Sequence, residues 1–442
     1  MTFENSQLTR LETLFERIDA KRDDIVDLTR ELVRIPTLNP PGIHYLDACE
    51  FVRKRLANAG FQCTLLRAED AIADSDRYPR WNLLARKDGS SPGDCVHFNS
   101  HIDVVQVGEG WSLDPFEGIS RDGRIYGRGT CDMKGGLAAS IVAAECFVQT
   151  YADFAGAIEI SATADEESGG YGGVAWLAER GHFSPDRVQH VIIPEPLNKN
   201  RICLGHRGVW WAEIETRGKM AHGSMPFLGD CAIRHMGAVI AELEESLFPM
   251  LATKRTNMPV VPEGARQSTL NLNAIHGGEP VQEEDFTGFP ASCVPDRCRM
   301  VLDRRFLAEE SLDEVKSEVI DVLRRVGQRR PSFEFDINEL YSVLPSMTGK
   351  SAPVVQAVDR GIRRVLGVRP EYVVSPGTYD QKHIDRIGRM KNCIAYGPGV
   401  LDLAHQPDEW IGIDDMLDSA KVMGHALADL LSCSTQSAER PT

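Results

Sequence analysis

Three apolar runs, each followed by a side chain that can hold a metal ion or a proton, constrain this chain more than any other feature. The run at 95–99 leads into His101, the run at 157–163 ends at an acidic pair, and the run at 188–194 leads into Glu195. An alanine-rich helical segment, expected to begin at Asp132 and to reach about residue 148, separates the first two runs. This order predicts βαβ units with parallel strands. Open α/β sheets bind ligands beyond the carboxyl ends of such strands, so these side chains are expected at one edge.

Alternating patterns in the middle of the chain predict a second domain. Strands are expected near 209–216, 269–275 and 297–306, with helices near 231–247 and 312–327. Strands with two intervening helices and no candidate metal ligand indicate an α+β insert. A chain of 442 residues also exceeds what one core usually organises. We therefore predict a first domain from 1–207 and 335–442, and an inserted domain from 208–334.

Composition and net charge limit the classes of partner that the protein is expected to bind. The formal charge of −16 argues against nucleic acid or an anionic membrane, because both require a basic face. The first nineteen residues contain no apolar core of signal-peptide length, and no later segment resembles a membrane span. Eleven cysteines without CxxC pairs predict reduced thiols rather than disulfides. A cytoplasmic protein that binds no nucleic acid and no membrane is expected.

His101 and Asp103 form a His-x-Asp pair directly after the first apolar run. A neutral imidazole binds divalent metals, and the carboxylate two residues on can accept from the other ring nitrogen and fix the tautomer. A structural histidine is the alternative, since such pairs are frequent. Asp132 follows the glycine-rich segment 127–129, and it either binds metal or caps the N-terminus of the alanine-rich helix.

The adjacent carboxylates Glu166 and Glu167 follow the second run. Two carboxylates at the end of an apolar strand are costly unless positive charge lies beside them. In a dinuclear site one can bind metal while its neighbour takes a proton from water, and a solvated acidic turn is the alternative. Glu195, which lies between two prolines, and His405, in the loop 397–409, are further candidate ligands with ordinary loop positions as alternatives.

Long strings of residues resemble the dinuclear zinc M20 peptidase family over nearly the whole chain. Residues 35–42 resemble its IPSxNPPG segment, 101–105 its HxDVV motif, and 126–136 its YGRGxxDMKGG motif. The resemblance implies an α/β fold, in which a zinc-peptidase-like catalytic domain with a central mixed sheet flanked by helices carries an inserted α+β lid and dimerisation domain. The protein is then expected to be a homodimer through that lid.

The resemblance also implies two divalent metal ions, zinc in the family, although these ligand types suit cobalt and manganese as well. Five residues would hold the ions: His101, Asp132, Glu167, Glu195 and His405. Asp132 would bridge them, since one carboxylate can offer an oxygen to each of two cations. Glu166 would take a proton from the attacking water and return it to the leaving amine, and Asp103 would orient His101.

Residues of the insert complete the site that the resemblance implies. The segment 218–226 resembles the GxxAHxSxP motif, whose histidine reaches the partner subunit's site, so His222 would act in trans. A lid-surface histidine is the alternative. Arg305, in a DxR motif, would clamp a substrate carboxylate, because a guanidinium grips carboxylate in two parallel bonds. In the part of the first domain after the insert, Gly377 and Thr378 resemble a GTSD turn that lines the substrate site.

Some positions depart from the family pattern or invite a second interpretation. Ser292 stands where the family usually has Asn, after a loop at 279–290 that is longer than expected. Lys382 follows the GTSD-like turn where the family often has Arg, and either reads a substrate acid group or is a solvated surface lysine. Cys131, beside Asp132, is expected to be a small buried filler rather than a nucleophile, because no neighbouring base is evident.

These features predict a metal-dependent amide hydrolase that removes an acyl group, such as acetyl or succinyl, from a small N-acyl amino acid. Glu195 stands where aminopeptidases and glutamate carboxypeptidases of the family tend to carry Asp, which favours the deacylase branch. An exopeptidase acting on dipeptides shares every catalytic residue and is the alternative. A catalytically silent binding protein would be expected to lack a ligand or Glu166, and a thiol amidase using Cys131 would resist chelators.

Overall fold

A computed structural model describes residues 2–278 and 292–431, so the loop at 279–290 and the polar tail at 432–442 lie outside the described residues. Contacts divide the chain into two units. The first comprises Met1–Gly205, Met347–Val373 and Tyr379–Thr442. The second comprises His206–Ser346 and Val374–Thr378.

The helices are α1 Thr2–Asp19, α2 Arg22–Val33, α3 Tyr45–Asn58, α4 Gly135–Thr150, α5 Trp176–Glu179, α6 Ala232–Glu242, α7 Phe248–Thr253, α8 Leu312–Arg329, α9 Pro353–Leu366, α10 Gln381–Arg386 and α11 Ile413–Leu431.

The strands form three sheets. They are β1 Gln62–Arg67, β2 Trp81–Asp88, β3 Ser91–His101, β4 Ile119–Arg121, β5 Arg124–Tyr126, β6 Ala155–Thr163, β7 His190–Ile193, β8 Arg201–His206, β9 Gly208–Arg217, β10 Thr269–Gly277, β11 Arg297–Phe306, β12 Glu334–Val343, β13 Ser346–Met347, β14 Glu371–Ser375, β15 Cys393–Ala395 and β16 Trp410–Gly412. A nine-stranded sheet has the order β1-β2-β6-β3-β7-β15-β8-β13, with β14 also paired to β8. Its centre is parallel, since β3 pairs with β6 and β7, and β7 with β15, in parallel. The strand pairs β1–β2, β2–β6 and β15–β8 are antiparallel, so the predicted mixed sheet is confirmed.

The two faces of β3 have different surroundings. Val96 and Phe98 point into the main core, where the buried side chains of α4 and α11 pack. His97, Asn99 and His101 point to the other face, as successive residues of a strand must. These polar residues are also buried. The strand is therefore covered on both faces, with apolar side chains on one and buried polar side chains on the other.

Local sequence explains several element boundaries. The hairpin between β4 and β5 turns through Asp122 and Gly123, whose φ angles of 52° and 74° match the type I′ turn that favours such a pair. Helix α8 begins with a capping box in which Ser311 accepts from the backbone N–H of Glu314 and the Glu314 side chain accepts in return. Helix α9 ends at Gly367, whose φ of 68° is the left-handed conformation that glycine supplies at helix ends.

The second unit has an antiparallel sheet in the order β10-β11-β9-β12. Apolar side chains of β9 and β11 alternate inward and pack with the buried faces of α6 and α8. The return to the first unit, expected at residue 335, comes after Ser346 instead. The reason is that β12 pairs along its length with β9. Residues 334–343 therefore extend the sheet of the insert.

Candidate metal centre

The first group of candidate ligands consists of His101, Asp132 and Glu195. Their potential ligand atoms lie within 4.8 Å of one another. The Nε2 atom of His101 is 3.1 Å from Oδ1 of Asp132 and 4.0 Å from Oε1 of Glu195. His101 ends β3, and Glu195 follows β7, which pairs with β3 in parallel. The parallel pairing of β3 with β7 therefore brings His101 and Glu195 together, and Asp132 approaches them from the turn before α4.

The second group consists of Asp132, Glu167 and His405, again with ligand atoms within 4.8 Å of one another. The Nε2 atom of His405 is 3.1 Å from Oε1 of Glu167 and 3.5 Å from Oδ2 of Asp132. Asp132 thus presents Oδ1 to His101 and Oδ2 to His405. A carboxylate shared in this way can offer one oxygen to each of two cations.

The backbone around Asp132 differs from the expectation. Asp132 was expected to begin the alanine-rich helix, but its φ of −119° and ψ of 95° are not helical, and α4 begins at Gly135. The irregular turn Thr130–Lys134 precedes the helix. Asp132 is therefore not an N-cap, and its carboxylate is directed toward the histidines rather than toward the first turn of α4.

Burial opposes the charge of two carboxylates in these groups. Burial raises the pKa of Glu195 well above its usual range, and the charge of Asp132 adds to this. Burial likewise raises the pKa of Glu167 to about 7. Hydrogen bonds to Asp132 and Glu167 raise the pKa of His405 to about 10. Glu167 and Glu195 therefore favour the protonated form unless a cation lies beside them. Burial also opposes the charge of Asp132, but hydrogen bonds with His101 and His405 outweigh it and lower the pKa of Asp132. Imidazole nitrogens and carboxylate oxygens are ligands of zinc and of related divalent ions, so the donor set fits two such ions.

Asp103 supports the site in a different way from the one expected. The Nδ1 atom of His101 hydrogen-bonds with the backbone carbonyl of Asp103 at 3.0 Å, whereas the carboxylate lies 3.6 Å away. The carboxylate instead accepts from the backbone N–H groups of Glu166 and Glu167, at 3.2 and 3.0 Å. The Asn39 amide also donates to it at 2.8 Å. The tautomer of His101 is thus fixed by a carbonyl, while the carboxylate fixes the turn that carries the acidic pair.

A buried ion pair joins the segments that carry Asp132 and His405. The Arg128 guanidinium and the Glu409 carboxylate lie 2.6 Å apart, with 1% and 0% of their side chains exposed. Glu409 accepts from the backbone N–H groups of Cys131 and Asp132, at 2.8 and 3.1 Å. Arg128 donates to the carbonyl of His405 at 3.2 Å and to three others nearby. We call this pair and its partners the Arg128–Glu409 clamp.

Cys131 is a buried thiol rather than a reactive one. Its side chain is inaccessible, and its sulfur donates to the carbonyl of Val400 at 3.3 Å. Burial raises its pKa well above the usual range, and the charges of Glu409 and Asp132 raise it further. A thiolate is therefore disfavoured at this position, as expected for a filler.

Comparison with known proteins agrees with this geometry. Residues 97–429 match the peptidase family M20/M25/M40. The chain is 30% identical over 418 residues to the succinyl-diaminopimelate desuccinylase of Acinetobacter baylyi, which covers 93% of this chain and 100% of that protein. This chain belongs to the M20 family. It is a hydrolase of the metallopeptidase type, and its recognition from sequence motifs is confirmed.

Solved structures of the M20 family have the same fold. Human carnosine dipeptidase 1 superposes with a TM-score of 0.73 at 20% identity, covering 95% of this chain and 98% of that one. A dinuclear metal-binding M20 peptidase from Bacillus subtilis superposes with a TM-score of 0.66 at 15% identity, covering 93% and 99%. The expected α/β fold is thereby confirmed, and so is dinuclear metal binding as a property of this family.

The remaining predicted residues lie in the second unit. His222 is exposed, and its Nδ1 atom hydrogen-bonds with the Ser224 hydroxyl at 2.8 Å. Ser292 lies beside it, since its carbonyl accepts from the backbone N–H of Gly223 at 2.9 Å. Arg305 grips Asp303 with two bonds, of 2.7 and 3.0 Å. His222 and Arg305 lie in the second unit, as expected for residues of the insert. Gly377 and Thr378, which were expected in the first domain, also belong to the second unit.

Arg207 is a residue of the second unit that no motif indicated. Its buried guanidinium donates to the carbonyls of Pro376, Ala265 and Gln267, at 3.0 to 3.2 Å. Burial lowers its pKa to about 10, and the positive charge of Arg305 acts in the same direction. Two guanidinium groups thus lie within electrostatic range of each other, next to the Gly377 turn. Only the three-dimensional pairing of β9 with β11 brings them together.

Lys382 is not a solvated surface lysine, so that interpretation of the sequence is wrong. Its side chain is 2% exposed, and its ammonium lies 2.9 Å from Oε1 of Glu166. The helix α10 that carries it is short, and five of its six residues are buried. No periodic pattern of a six-residue segment signals such burial. The sequence did contain one indication, since Lys382 occupies a place where the family often has another cation.

No helix among the described residues is long and apolar enough to cross a membrane. The ten cysteines that the structure describes are free, which agrees with the expectation of reduced thiols.

Proposed function

We propose that this M20-family protein hydrolyses N-acyl amino acids to a free amino acid and a carboxylic acid, with Glu166 as general base and general acid. The observation that carries the proposal is the sharing of Asp132 between two groups of ligands, with Glu166 adjacent to one of the ligands, Glu167. A shared carboxylate suits two cations, and an unliganded neighbour suits proton transfer.

The residues of the site have separate roles in the proposed reaction. Two divalent cations held by the five ligands would supply Lewis acidity for the attacking water and for the oxyanion that develops on the amide. Glu166 takes the proton of the attacking water on a carboxylate oxygen and delivers it to the nitrogen of the leaving amine. Asp103 keeps Glu166 in place by binding the backbone N–H groups of the Glu166–Glu167 turn. The Arg128–Glu409 clamp holds the turn of Asp132.

We infer that the acyl group carries its own carboxylate, as succinyl does, rather than being acetyl. Curated relatives with 26–30% identity over most of this chain are named succinyl-diaminopimelate desuccinylase. The second unit supplies two guanidinium groups, Arg207 and Arg305, and a guanidinium is the group best suited to a carboxylate. Gly377 and Thr378 would line the same part of the substrate site. The net charge of −16 does not attract an anion, so local cations must do so.

A substrate panel tests this proposal. The purified protein is assayed with added zinc on N-succinyl and N-acetyl amino acids and on dipeptides. N-succinyl substrates are expected to have the highest kcat/KM, and Glu166→Gln is expected to abolish hydrolysis while both metals remain bound. Glu179→Gln, which changes an exposed glutamate, is the control. Faster hydrolysis of dipeptides would instead establish the exopeptidase alternative, and an active Glu166→Gln enzyme would refute the role of Glu166.

We propose zinc as the native metal, because three carboxylates and two imidazoles divided over two sites match its usual ligands. Elemental analysis of protein purified without added metal tests this assignment. Two zinc ions per chain are expected, and two manganese or cobalt ions per chain would contradict it.

We also propose a homodimer in which His222 of each subunit serves the site of its partner. The exposure of this histidine supports the proposal, because an exposed side chain is accessible to a second subunit. Light scattering tests the dimer. Co-expression of His222→Ala with Glu166→Gln tests the exchange, because a mixed dimer then contains one site with an intact Glu166 and an intact His222. Recovered activity is expected, whereas no recovery would show that His222 acts within its own subunit.

We place the reaction in the cytoplasm. The free cysteines support this, because thiols persist in a reducing compartment. Fractionation of the source cells with an antibody against the protein is the test, and recovery in an oxidising compartment would contradict it.

A further inference from the structure

Lys382 is a buried cation of the first unit to which the proposed reaction gives no role. An ammonium group with 2% of its side chain exposed is costly unless a buried partner compensates for it. The Oε1 atom of Glu166, at 2.9 Å, is such a partner. Glu166 is the carboxylate of the acidic pair that belongs to neither group of candidate ligands. A buried cation therefore contacts the side chain to which we assign proton transfer.

The backbone beside Lys382 is fixed by Asp380, the residue before α10. The Asn99 amide donates to Oδ2 of Asp380 at 2.9 Å. Burial raises the pKa of Asp380 to about 7, and the charge of Glu166 acts in the same direction, whereas Lys382 lowers it. The positive charge of Lys382 thus acts on both carboxylates, by direct contact with Glu166 and by its electrostatic effect on Asp380.

A chain of polar side chains continues from Asp380 along one face of β3 and β6. The Ser161 hydroxyl donates to Oδ1 of Asn99 at 2.8 Å and hydrogen-bonds with Nε2 of His97 at 2.8 Å. On the other side of the His97 ring, Nδ1 lies 3.2 Å from Glu159. Glu159 in turn binds the guanidinium groups of Arg86 and Arg187, at 2.8 and 2.7 Å. Strand pairing sets this order, because Asn99 lies opposite Ser161 and His97 opposite Glu159.

This polar chain lies in the interior of the first unit. His97, Asn99, Glu159 and Ser161 are all inaccessible to solvent. The hydrogen bonds of Ser161 with Asn99 and His97, and that of Asn99 with Asp380, restrict the rotamers of these buried side chains. The segment that carries Lys382 is thus anchored through Asp380 to the centre of the sheet.

We propose that Lys382 is a positioning residue that holds one carboxylate oxygen of Glu166 and leaves the other for proton transfer. The inference rests on the proposed function of Glu166. A glutamate side chain has three rotatable bonds, and a displacement of about 1 Å at a proton-transferring group can cost about 100-fold in rate. The contact of Lys382 with Oε1 restricts this motion. The second oxygen makes no hydrogen bond to the part of the chain that the structure describes.

Three substitutions test the inference: Lys382→Met, Lys382→Gln and Lys382→Arg. Lysine to methionine removes the charge and the donor. We expect kcat on the best substrate of the panel to fall by about 10- to 100-fold, with KM within about twofold of the wild-type value. Arginine keeps the charge and the donors, so it is expected to restore most of kcat. Lys54→Met, on the exposed face of α3, is the matched control and is expected to have no effect.

Thermal unfolding and metal content are measured for every variant, so that a loss of structure is not taken for a loss of positioning. If Lys382→Met does not fold, Lys382→Gln carries the same test, because glutamine keeps a donor without a buried charge. A raised KM with unchanged kcat would overturn the inference and assign Lys382 to substrate binding. An unchanged kcat in both neutral variants would also overturn it.

The failure of this inference is distinguishable from the failure of the proposed function. If Glu166→Gln is inactive and the wild-type protein hydrolyses N-acyl amino acids, the proposed function stands. Full activity of the neutral Lys382 variants then refutes the positioning role alone. If no member of the panel is hydrolysed, the proposed function itself is wrong, and the positioning role falls with it.

Discussion

Replacement of Arg128 by methionine should weaken the metal centre by loosening its backbone rather than by deleting a ligand. The guanidinium pairs with Glu409 at 2.6 Å and donates to four backbone carbonyls, one of them that of His405. Methionine fills a similar volume but pairs with none of these groups. Glu409 would remain 0% exposed without its cation while still accepting from the N–H groups of Cys131 and Asp132.

The magnitude follows from the burial of the pair. Removal of one partner from a buried ion pair typically costs about 3–5 kcal/mol, because the other charge is left uncompensated. For a large folding unit, 1 kcal/mol corresponds to roughly 2 °C. The first unit should therefore unfold about 6–10 °C lower in the Arg128→Met variant. Loosened support of metal ligands also lowers metal affinity by about 10- to 100-fold.

Differential scanning calorimetry of the metal-loaded protein measures the first effect, and competition with a coloured chelator measures the second. Arg121→Met is the control, since Arg121 is 57% exposed and its ion pair with Asp122 is 3.8 Å long. Such a surface pair contributes about 0–1 kcal/mol. If Arg128→Met and Arg121→Met unfolded at the same temperature and bound metal equally well, the clamp would have no role in holding the Asp132 and His405 segments together.

Three further outcomes are expected. Burial opposes the charge of Glu310 in the second unit, but Arg304 and Lys254 outweigh it and lower the pKa of the carboxyl from 4.5 to about 2. About 3 kcal/mol of stability is therefore present above pH 4.5 and lost as the pH falls through 2, and Glu310→Gln should remove this dependence in acid titrations followed by circular dichroism. Cys131→Ala should keep hydrolysis within a few-fold of wild type, and thiol alkylation at neutral pH should leave the rate unchanged; inactivation by alkylation would point to a thiol enzyme. Chelation should abolish hydrolysis, and added zinc should restore it. The affinity of the protein for zinc should rise with pH in competition titrations, because cations displace protons from Glu167 and His405.

The positions of the site residues could be predicted where they depend on strand ends. His101, the acidic pair and Glu195 follow three apolar runs that proved to be β3, β6 and β7, neighbours in one sheet. A parallel sheet places the carboxyl ends of its strands at one edge, whatever the details of its loops. The α/β fold and the family were accessible from sequence for the same reason, since both depend on long patterns.

The contacts that depend on irregular backbone could not be predicted. Asp132 was expected at a helix start, because an aspartate before an alanine-rich run is typical of an N-cap. The actual turn is non-helical and depends on Glu409, which is remote in sequence. The carboxylate of Asp103 was expected on His101 but binds two backbone N–H groups. The extent of the insert was similarly underestimated, because the pairing of β12 with β9 joins segments far apart in the chain.

The buried cations of the first unit illustrate how these irregular segments are held. Asp165, directly before the acidic pair, has a φ of 65°, and Arg80 pairs with it at 3.0 Å. His405 has a φ of 64°, and Arg128 donates to its carbonyl. Non-glycine residues in this conformation are strained and persist only where their surroundings impose it. Each guanidinium is nearly inaccessible and binds protein groups, so both stabilise the irregular backbone beside the candidate ligands.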